Sequence, residues 1–447
     1  MDTARTITSI EVDALFGLFS YKIPLGQKRP VGQAGHLILY GDNGTGKTTI
    51  LQLVYHLLDK RDDRGHRSYL ARVPFRRLSV SLSDGTKVIA RRAGKELKGA
   101  YSLDVTRADE RICHVEAIVD RELRIRTSQW KPEEQRRWQD FLDALSALDV
   151  SFFFLADDRK TRDPQDEEIM PEGQELSGHD FSLAFRRSLM LRERDGEDKR
   201  LNEAVEGLEK WIKDELLRSA NVGEASTNTV YADIARRIVR RKGSGRTTKV
   251  SPAEILRTLH ELERRSNSYV DLGLVQTPRL EEIVAALQSP NASARRLIAD
   301  VISPYIDGLS ARLDALEEVQ VLLTLFLDRI NGFYTNKRVT YDVTQGFQIT
   351  SANGERLRTS QLSSGERQLL LLLAKVLTAR REATIFLIDE PEISLNVKWQ
   401  RKLVDTLLDL VRGTSVQFIL ATHSLELLAT HRQFVHRLTT EFERGAD

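Results

Sequence analysis

The chain's 447 residues, 40% hydrophobic and 30% charged, are enough to bury a full core and to form two or three domains. With 67 Lys and Arg against 65 Asp and Glu, the formal net charge is only +2, which excludes a chain-wide basic face for nucleic acid or membrane. The single cysteine, Cys113, excludes an internal disulfide and a cysteine-based zinc site.

The opening MDTARTITSIEV is polar and runs into a strand, unlike a signal peptide. Short β-like pieces follow from Ile7 to Ile23 around Ala14-Leu15-Phe16-Gly17. His36–Tyr40 is a brief apolar run ending at a glycine, as a buried parallel strand does, and Thr48–Leu58 then takes helical spacing. Leu78–Arg91 reads as a hairpin turning at Asp84-Gly85. Tyr101–Val105 and Ile112–Arg124 extend an antiparallel sheet, with Cys113 as a small hydrophobe in the latter strand. Pro132–Leu148 is predicted helical, and Val150–Leu155 is predicted to return to a buried strand.

From about Phe181 to Phe333 the pattern is mostly helical, with breaks around Asn221–Thr229 and Gly243–Thr248. Ser251-Pro252-Ala253-Glu254 is a capping box with proline in the first turn. Leu316, Val319, Leu323, Phe326 and Ile330 recur at three- and four-residue steps, a helical core stripe or a coiled-coil seam. Val339–Ile349 predicts two strands around Gln345-Gly346. Beyond them come a helix (Glu366–Ala379), a strand (Thr384–Ile388), a helix (Val397–Val411) and a strand (Val416–Ala421). No apolar run approaches the roughly 20 residues of a membrane span, so a cytoplasmic protein without a membrane partner is expected.

Between the strand at Tyr40 and the helix after Thr48 lies Gly41-Asp-Asn43-Gly44-Thr45-Gly46-Lys47-Thr48-Thr49, a P-loop in both pattern and context. Its glycines let backbone N–H groups and the helix start wrap phosphates, so Gly41, Asn43, Gly44, Thr45, Gly46, Lys47, Thr48 and Thr49 are the candidate ATP-binding residues. Lys47 is placed to reach the β- and γ-phosphates, and the Thr48 hydroxyl to ligate Mg²⁺. Thr384–Glu392 (TIFLIDEPE) is a strand delivering carboxylates to the sheet edge where ligands bind. Asp389 is the candidate second metal residue, and Glu390 the candidate base for the attacking water. Val416–Ser424 repeats the arrangement and ends in His423, which either bonds a γ-phosphate or aligns water with Glu390. Gln361–Gln368 opens another helix with Ser363, Ser364, Gly365 and Glu366, a second anion site or a plain helix cap.

In order and type these motifs resemble an ABC-type ATPase head. Gly41–Thr48 matches Walker A, Leu362–Glu366 the signature loop, Ile385–Glu390 Walker B, Ser394-Leu395-Asn396 the D-loop and His423 the switch histidine. LSSGERQLLLLLA, LIDEPEISLNVKWQ and FILATHS resemble the soluble RecF/OLD/SMC-like group, many of whose members serve bacterial anti-phage systems; so do Asn331–Lys337 and Phe154–Arg159. The resemblance implies an α/β P-loop NTPase head, a mixed sheet core with an antiparallel β subdomain, interrupted by a mostly helical insertion. Residues 1–180 and 335–447 would form the head and 181–334 the insertion. It further implies a homodimer closed over two ATP molecules, with Ser363 of one copy touching the γ-phosphate held by the other.

The sequence departs from that pattern at Asn396, where histidine or aspartate is usual, and lacks a clear Q-loop glutamine after Leu155; Asp157, Asp158 and Arg159 stand there instead. Phe16, Phe19 and Tyr21 are candidates for stacking on adenine, or core residues. The insertion is expected to form a compact helical lobe or a short antiparallel pair. Within it Arg236, Arg237, Arg240, Arg241 and Lys242 head a run without acids, a patch for nucleic acid or an acidic partner, or a solvated helix end. The leading expectation is the regulatory ATPase of a defence system that controls a separate, nuclease-like effector, because the chain runs only a short way past His423, where OLD-type relatives carry a Toprim nuclease. The alternative is a RecF/SMC-like DNA-binding ATPase of repair or chromosome maintenance.

Overall fold

The computed structural model describes residues 5–25, 34–61, 65–108, 110–156, 198–218, 251–278 and 280–439. The chain divides into two compact units, Met1–Leu189 with Val376–Asp447, and Met190–Lys375. The basic run from Arg236 to Lys242, the two predicted breaks and Asp157–Arg159 lie outside the described residues.

The first unit opens with β1 (Ile7–Leu15), β2 (Phe19–Pro24), β3 (Gly35–Tyr40), α1 (Lys47–Leu58) and α2 (His66–Arg72). β4 (Arg77–Leu82), β5 (Thr86–Arg91), β6 (Tyr101–Arg107) and β7 (Glu110–Ala117) follow, then α3 (Pro132–Ser146) and β8 (Phe152–Leu155). Six of these strands form an antiparallel sheet in the order β2-β1-β4-β5-β6-β7. The β4–β5 hairpin turns where predicted: Gly85 takes φ 83°, and Asp84 Oδ1 accepts the Thr86 N–H at 3.0 Å. The predicted strand Ile112–Arg124 is shorter than expected. β7 stops at Ala117, and the Asp120 carboxylate then accepts the N–H groups of Glu122 and Arg124, both at 2.9 Å, which bends the backbone into a turn.

The second unit contains α4 (198–218), α5 (Pro252–Val270), α6 (Glu281–Leu287) and α7 (Ala292–Phe333). The predicted capping box is formed, with Ser251 Oγ accepting from Ala253 N and Glu254 Oε2 accepting the Ser251 N–H at 3.0 Å. α7 has 42 residues, about 63 Å at 1.5 Å per residue, and buries Leu316, Val319, Leu323, Phe326 and Ile330, the predicted stripe. α5 lies alongside it: Arg265 pairs with Asp314 at 2.6 Å and Glu317 at 3.3 Å, while the Tyr269 hydroxyl donates to the Leu313 carbonyl at 3.1 Å. Partner numbers fall as α5 advances, the sense of an antiparallel pair. Strands β9 (Lys337–Asp342), β10 (Gly346–Ser351) and β11 (Arg356–Leu357) form a small antiparallel sheet. Asn331 in the last turns of α7 binds β9 like a neighbouring strand, exchanging bonds of 2.7 and 2.8 Å with the Val339 amide and carbonyl. α8 (Ser364–Ala379) then carries the chain back to the first unit.

There β12 (Ile385–Asp389), α9 (Val397–Leu410), β13 (Gln417–Thr422), α10 (Leu425–Leu428) and β14 (Val435–Arg437) complete a parallel sheet of order β14-β3-β13-β12-β8. Every residue of β12 and β13 is buried, which is why Ile385–Ile388 and Phe418–Ala421 are unbroken apolar runs rather than alternating ones. α1 covers one face, where Tyr55 stacks on Phe154 with ring centroids 5.3 Å apart. Gln417 stitches this sheet to the antiparallel one, exchanging two 2.8 Å bonds with the Ile7 backbone. Register does the rest. Thr422 pairs with Tyr40 and Ala421 with Asp389, so β3, β13 and β12 end together on one edge.

Candidate functional site

Everything after those three strand ends converges on that edge. Past β3, Gly44 and Gly46 take φ 84° and 87°, and a Cβ on Gly46 would sit 2.7 Å from Leu15 Cδ2, so only glycine fits. Gly46 is the N-cap of α1 and no side chain caps that helix, which leaves its first N–H groups and the positive end of its dipole facing the loop. Lys47 is buried, and its Nζ donates to the carbonyls of Gly41 at 2.8 Å and Asp42 at 3.1 Å. The Thr45 hydroxyl donates to the Asp42 carbonyl at 2.8 Å, and Tyr21 ties the loop to the antiparallel sheet by donating to the Thr45 carbonyl at 3.0 Å. Thr48 and Thr49 are half-buried on the first turn of α1. A cavity of about 240 Å³ is lined by Phe19, Tyr40, the loop from Gly41 through Asp42, Asn43 and Gly44 to Thr45, and Arg437 with Leu438.

Of the three aromatic candidates, Phe19 therefore lines the loop cavity, Tyr21 is buried with its hydroxyl committed, and Phe16 is 39% exposed. Arg437 was not foreseen. It sits on β14, beyond the last recognisable motif, and reaches the site only because β14 pairs with β3.

At the end of β12, Asp389 is buried. Glu390 adopts φ 47°, unusual for a non-glycine residue, while its N–H donates to the Ala421 carbonyl at 2.9 Å. That turn brings the Glu390 carboxylate into hydrogen-bond contact with His423 Nδ1. Burial above all, and then the negative charge of Glu392, push the Glu390 carboxyl up to about 7, with His423 opposing them. Glu392 is a second residue without a role in the motif reading, although it stands in plain view in the Asp-Glu-Pro-Glu string. It is 4% exposed, and its Oε1 accepts from the Thr422 hydroxyl and from the His423 N–H at 3.3 Å. Asn396, the odd residue of the D-loop, caps α9 by accepting the Trp399 N–H at 3.1 Å.

The serine loop lies in the second unit. Ser363 and Glu366 form a reciprocal capping box on α8: Ser363 Oγ accepts the Glu366 N–H at 3.3 Å, and Glu366 Oε2 accepts the Ser363 N–H at 2.7 Å. Lys337 adds a 2.7 Å ion pair to the same oxygen, and the Tyr334 hydroxyl donates to the Glu366 carbonyl at 2.8 Å. Burial alone would raise the Glu366 carboxyl, but the Lys337 bond and the Ser363 donors hold it below its usual value. Ser364 and Gly365 form the first turn between them.

A glycine loop between a parallel strand and an uncapped helix, with a carboxylate pair and a histidine on adjoining strand ends, defines a P-loop ATPase head of the ABC type. Comparison with known proteins agrees. Residues 37–429 match the family described as "AAA domain, putative AbiEii toxin, Type IV TA system", and the chain belongs to that family. A stretch of 151 residues, 33% of this chain, is 24% identical to the DNA double-strand break repair Rad50 ATPase of Sulfurisphaera tokodaii, of whose length it spans 16%. Among solved structures, the Smc head domain with an extended coiled coil from Pyrococcus furiosus aligns with 95% of this chain and 91% of its own, at 14% identity and a TM-score of 0.36. The Smc head domain with a coiled coil and joint from Pyrococcus yayanosii aligns at 16% identity and 0.34, covering 95% and 93%. Among the described residues no helix is long and apolar enough to cross a membrane.

Proposed function

We propose that the chain binds ATP in the Gly41–Thr49 loop and hydrolyses it with Glu390 as the base, His423 aligning the water, and a second copy's Ser363 loop completing the site. The observation that carries this reading is the Glu390–His423 contact on the same sheet edge as the glycine loop. A carboxylate held near neutral pH in a mostly buried place is suited to take a proton from water. Thr48 supplies a hydroxyl and Asp389 a buried carboxylate at that edge, an all-oxygen donor set that fits Mg²⁺; when bound, the ion would neutralise phosphate charge. Lys47 then exchanges its loop carbonyls for phosphate oxygens, and Gly44 and Gly46 let the backbone approach them.

The biological reading has support from the family description. A regulatory ATPase of a bacterial defence system, acting on a separate nuclease-like effector, is supported by the toxin-antitoxin description of the family and by the motif wording. The biochemical test is the Glu390→Gln protein with Mg²⁺-ATP. It should bind nucleotide, turn over at least about 100-fold more slowly than wild type, and sediment as a dimer. A variant that stays monomeric at high concentration with ATP trapped would sink the sandwich. Copurification with the product of a neighbouring gene tests the effector, and a solitary gene would count against it.

A further inference from the structure

Glu392 is an expensive residue to keep. It is a carboxylate 4% exposed in the first unit, and among the described residues its Oε2 has no hydrogen-bond partner. A buried charge with one oxygen unsatisfied costs stability, so an apolar side chain of the same size would serve the fold better. What it does locally is specific. Oε1 accepts from the Thr422 hydroxyl and from the His423 N–H at 3.3 Å. The Thr422 oxygen in turn accepts the Ser424 N–H at 2.9 Å, and the Ser424 hydroxyl donates to Gln400 Oε1 at 2.7 Å. Three successive residues, Thr422, His423 and Ser424, are therefore pinned to one carboxylate and to α9. The imidazole that contacts Glu390 hangs from the middle of that pinned turn, and is itself about half exposed, so the turn beneath it rather than a surrounding core sets its position.

We infer that Glu392 is a positioning residue for hydrolysis, its Oε1 fixing the turn from Thr422 to Ser424 so that His423 stays over the Glu390 carboxylate. The inference rests on the roles proposed above for Glu390 and His423. Glu392 places His423 through geometry, a role that an uncharged acceptor of the same shape can fill, while its charge acts separately on Glu390. Glutamine keeps the accepting oxygen; alanine does not. Thr422→Val removes the other half of the clamp without changing its volume.

The experiment measures kcat, KM and, separately, ATP affinity for Glu392→Ala, Glu392→Gln, Thr422→Val, Thr422→Ser, His423→Ala and the Glu392→Ala/His423→Ala double variant. Glu392→Ala should lose about 30-fold in kcat with ATP affinity within about twofold of wild type, and Glu392→Gln should recover most of that loss. Thr422→Val should lose about 10-fold, with serine restoring it. Measured well above pH 7, where Glu390 is ionised with or without the Glu392 charge, the double variant should be no slower than His423→Ala alone, because a residue acting through His423 has nothing left to position. Should Glu392→Ala fail to fold, Thr422→Val and its serine rescue carry the same comparison. Wild-type kcat in Glu392→Ala, equal losses in the alanine and glutamine variants, or multiplicative losses in the double variant would each overturn the inference. Wild-type turnover in His423→Ala would instead overturn the function proposed above, which keeps the two failures distinct.

Discussion

The two helix starts that the motifs single out, α1 and α8, are built in opposite ways. α1 begins at a left-handed glycine without a capping side chain, so the N–H groups that a helix leaves unpaired face the loop. α8 begins in a reciprocal box in which Ser363 and Glu366 cap one another, with Lys337 pairing to the same carboxylate. The first end is organised around a phosphate before one arrives. The second satisfies its own backbone donors, since the Ser363 and Glu366 N–H groups are both taken within the box, so a phosphate reaching it finds the Ser363 O–H to donate and the Glu366 carboxylate beside it. The difference assigns intrinsic affinity to the glycine loop and leaves the serine loop a weak, conditional contact, as suits a surface that engages only when a second copy presents a nucleotide.

Breaking the open end should produce the largest effect. Lys47→Ala removes the buried ammonium that the loop holds over its own carbonyls, and ATP affinity should fall beyond about 100-fold in a calorimetric titration. Near-normal affinity would mean that the backbone N–H groups alone carry the triphosphate. Next comes Ser363→Arg, which should bind ATP as wild type does yet fail to dimerise with it, as seen in sedimentation. If it dimerises, the serine loop is not the trans contact, and the contrast between the two helix starts has another cause.

The open end was legible in the sequence, and much of the closed one was not. Glycine spacing, a lysine and a following amphipathic helix announce a phosphate loop because only glycine tolerates the φ values at 44 and 46. The carboxylates at 389 and 390 stand out because they end an apolar run. A plain helix cap was visible too, as the alternative reading of Ser363 and Ser364, but the reciprocal part of Glu366 and the pairing of Lys337 with it, at a separation no local pattern records, were not. Arg437 and Glu392 were missed for different reasons. Arg437 arrives by the pairing of β14 with β3, a tertiary event. Glu392 needed only the question of where a second glutamate after proline would point, and its answer, back under Thr422 and His423, depends on β12 and β13 being neighbours in register. Of α7, only the second half shows as a stripe in the sequence, because Pro304, a residue that ordinarily ends a helix, masks the continuation through the first half.

The smallest effects probe the closed end directly. Ser363→Ala should cost about 1 kcal/mol of stability, the usual worth of an N-cap hydroxyl, and Lys337→Met less than that, since the pair is partly exposed. Acid offers the same test without mutation. Lys337 and the Ser363 donors hold the folded-state carboxyl of Glu366 below its usual 4.5, so the folded protein releases that proton more readily than the unfolded chain does. Its contribution is fully present above pH 4.5 and is lost as pH falls through the depressed folded-state value. Lys337→Met should therefore flatten the acid limb of the wild-type stability curve, and the two proteins should converge in acid when melting is followed from about pH 6 downward. Gly46 leaves α1 no carboxylate of this kind. If the acid limb is unchanged in Lys337→Met, the box at α8 is not held by charge, and the Ser363 donors alone hold the Glu366 carboxyl in place.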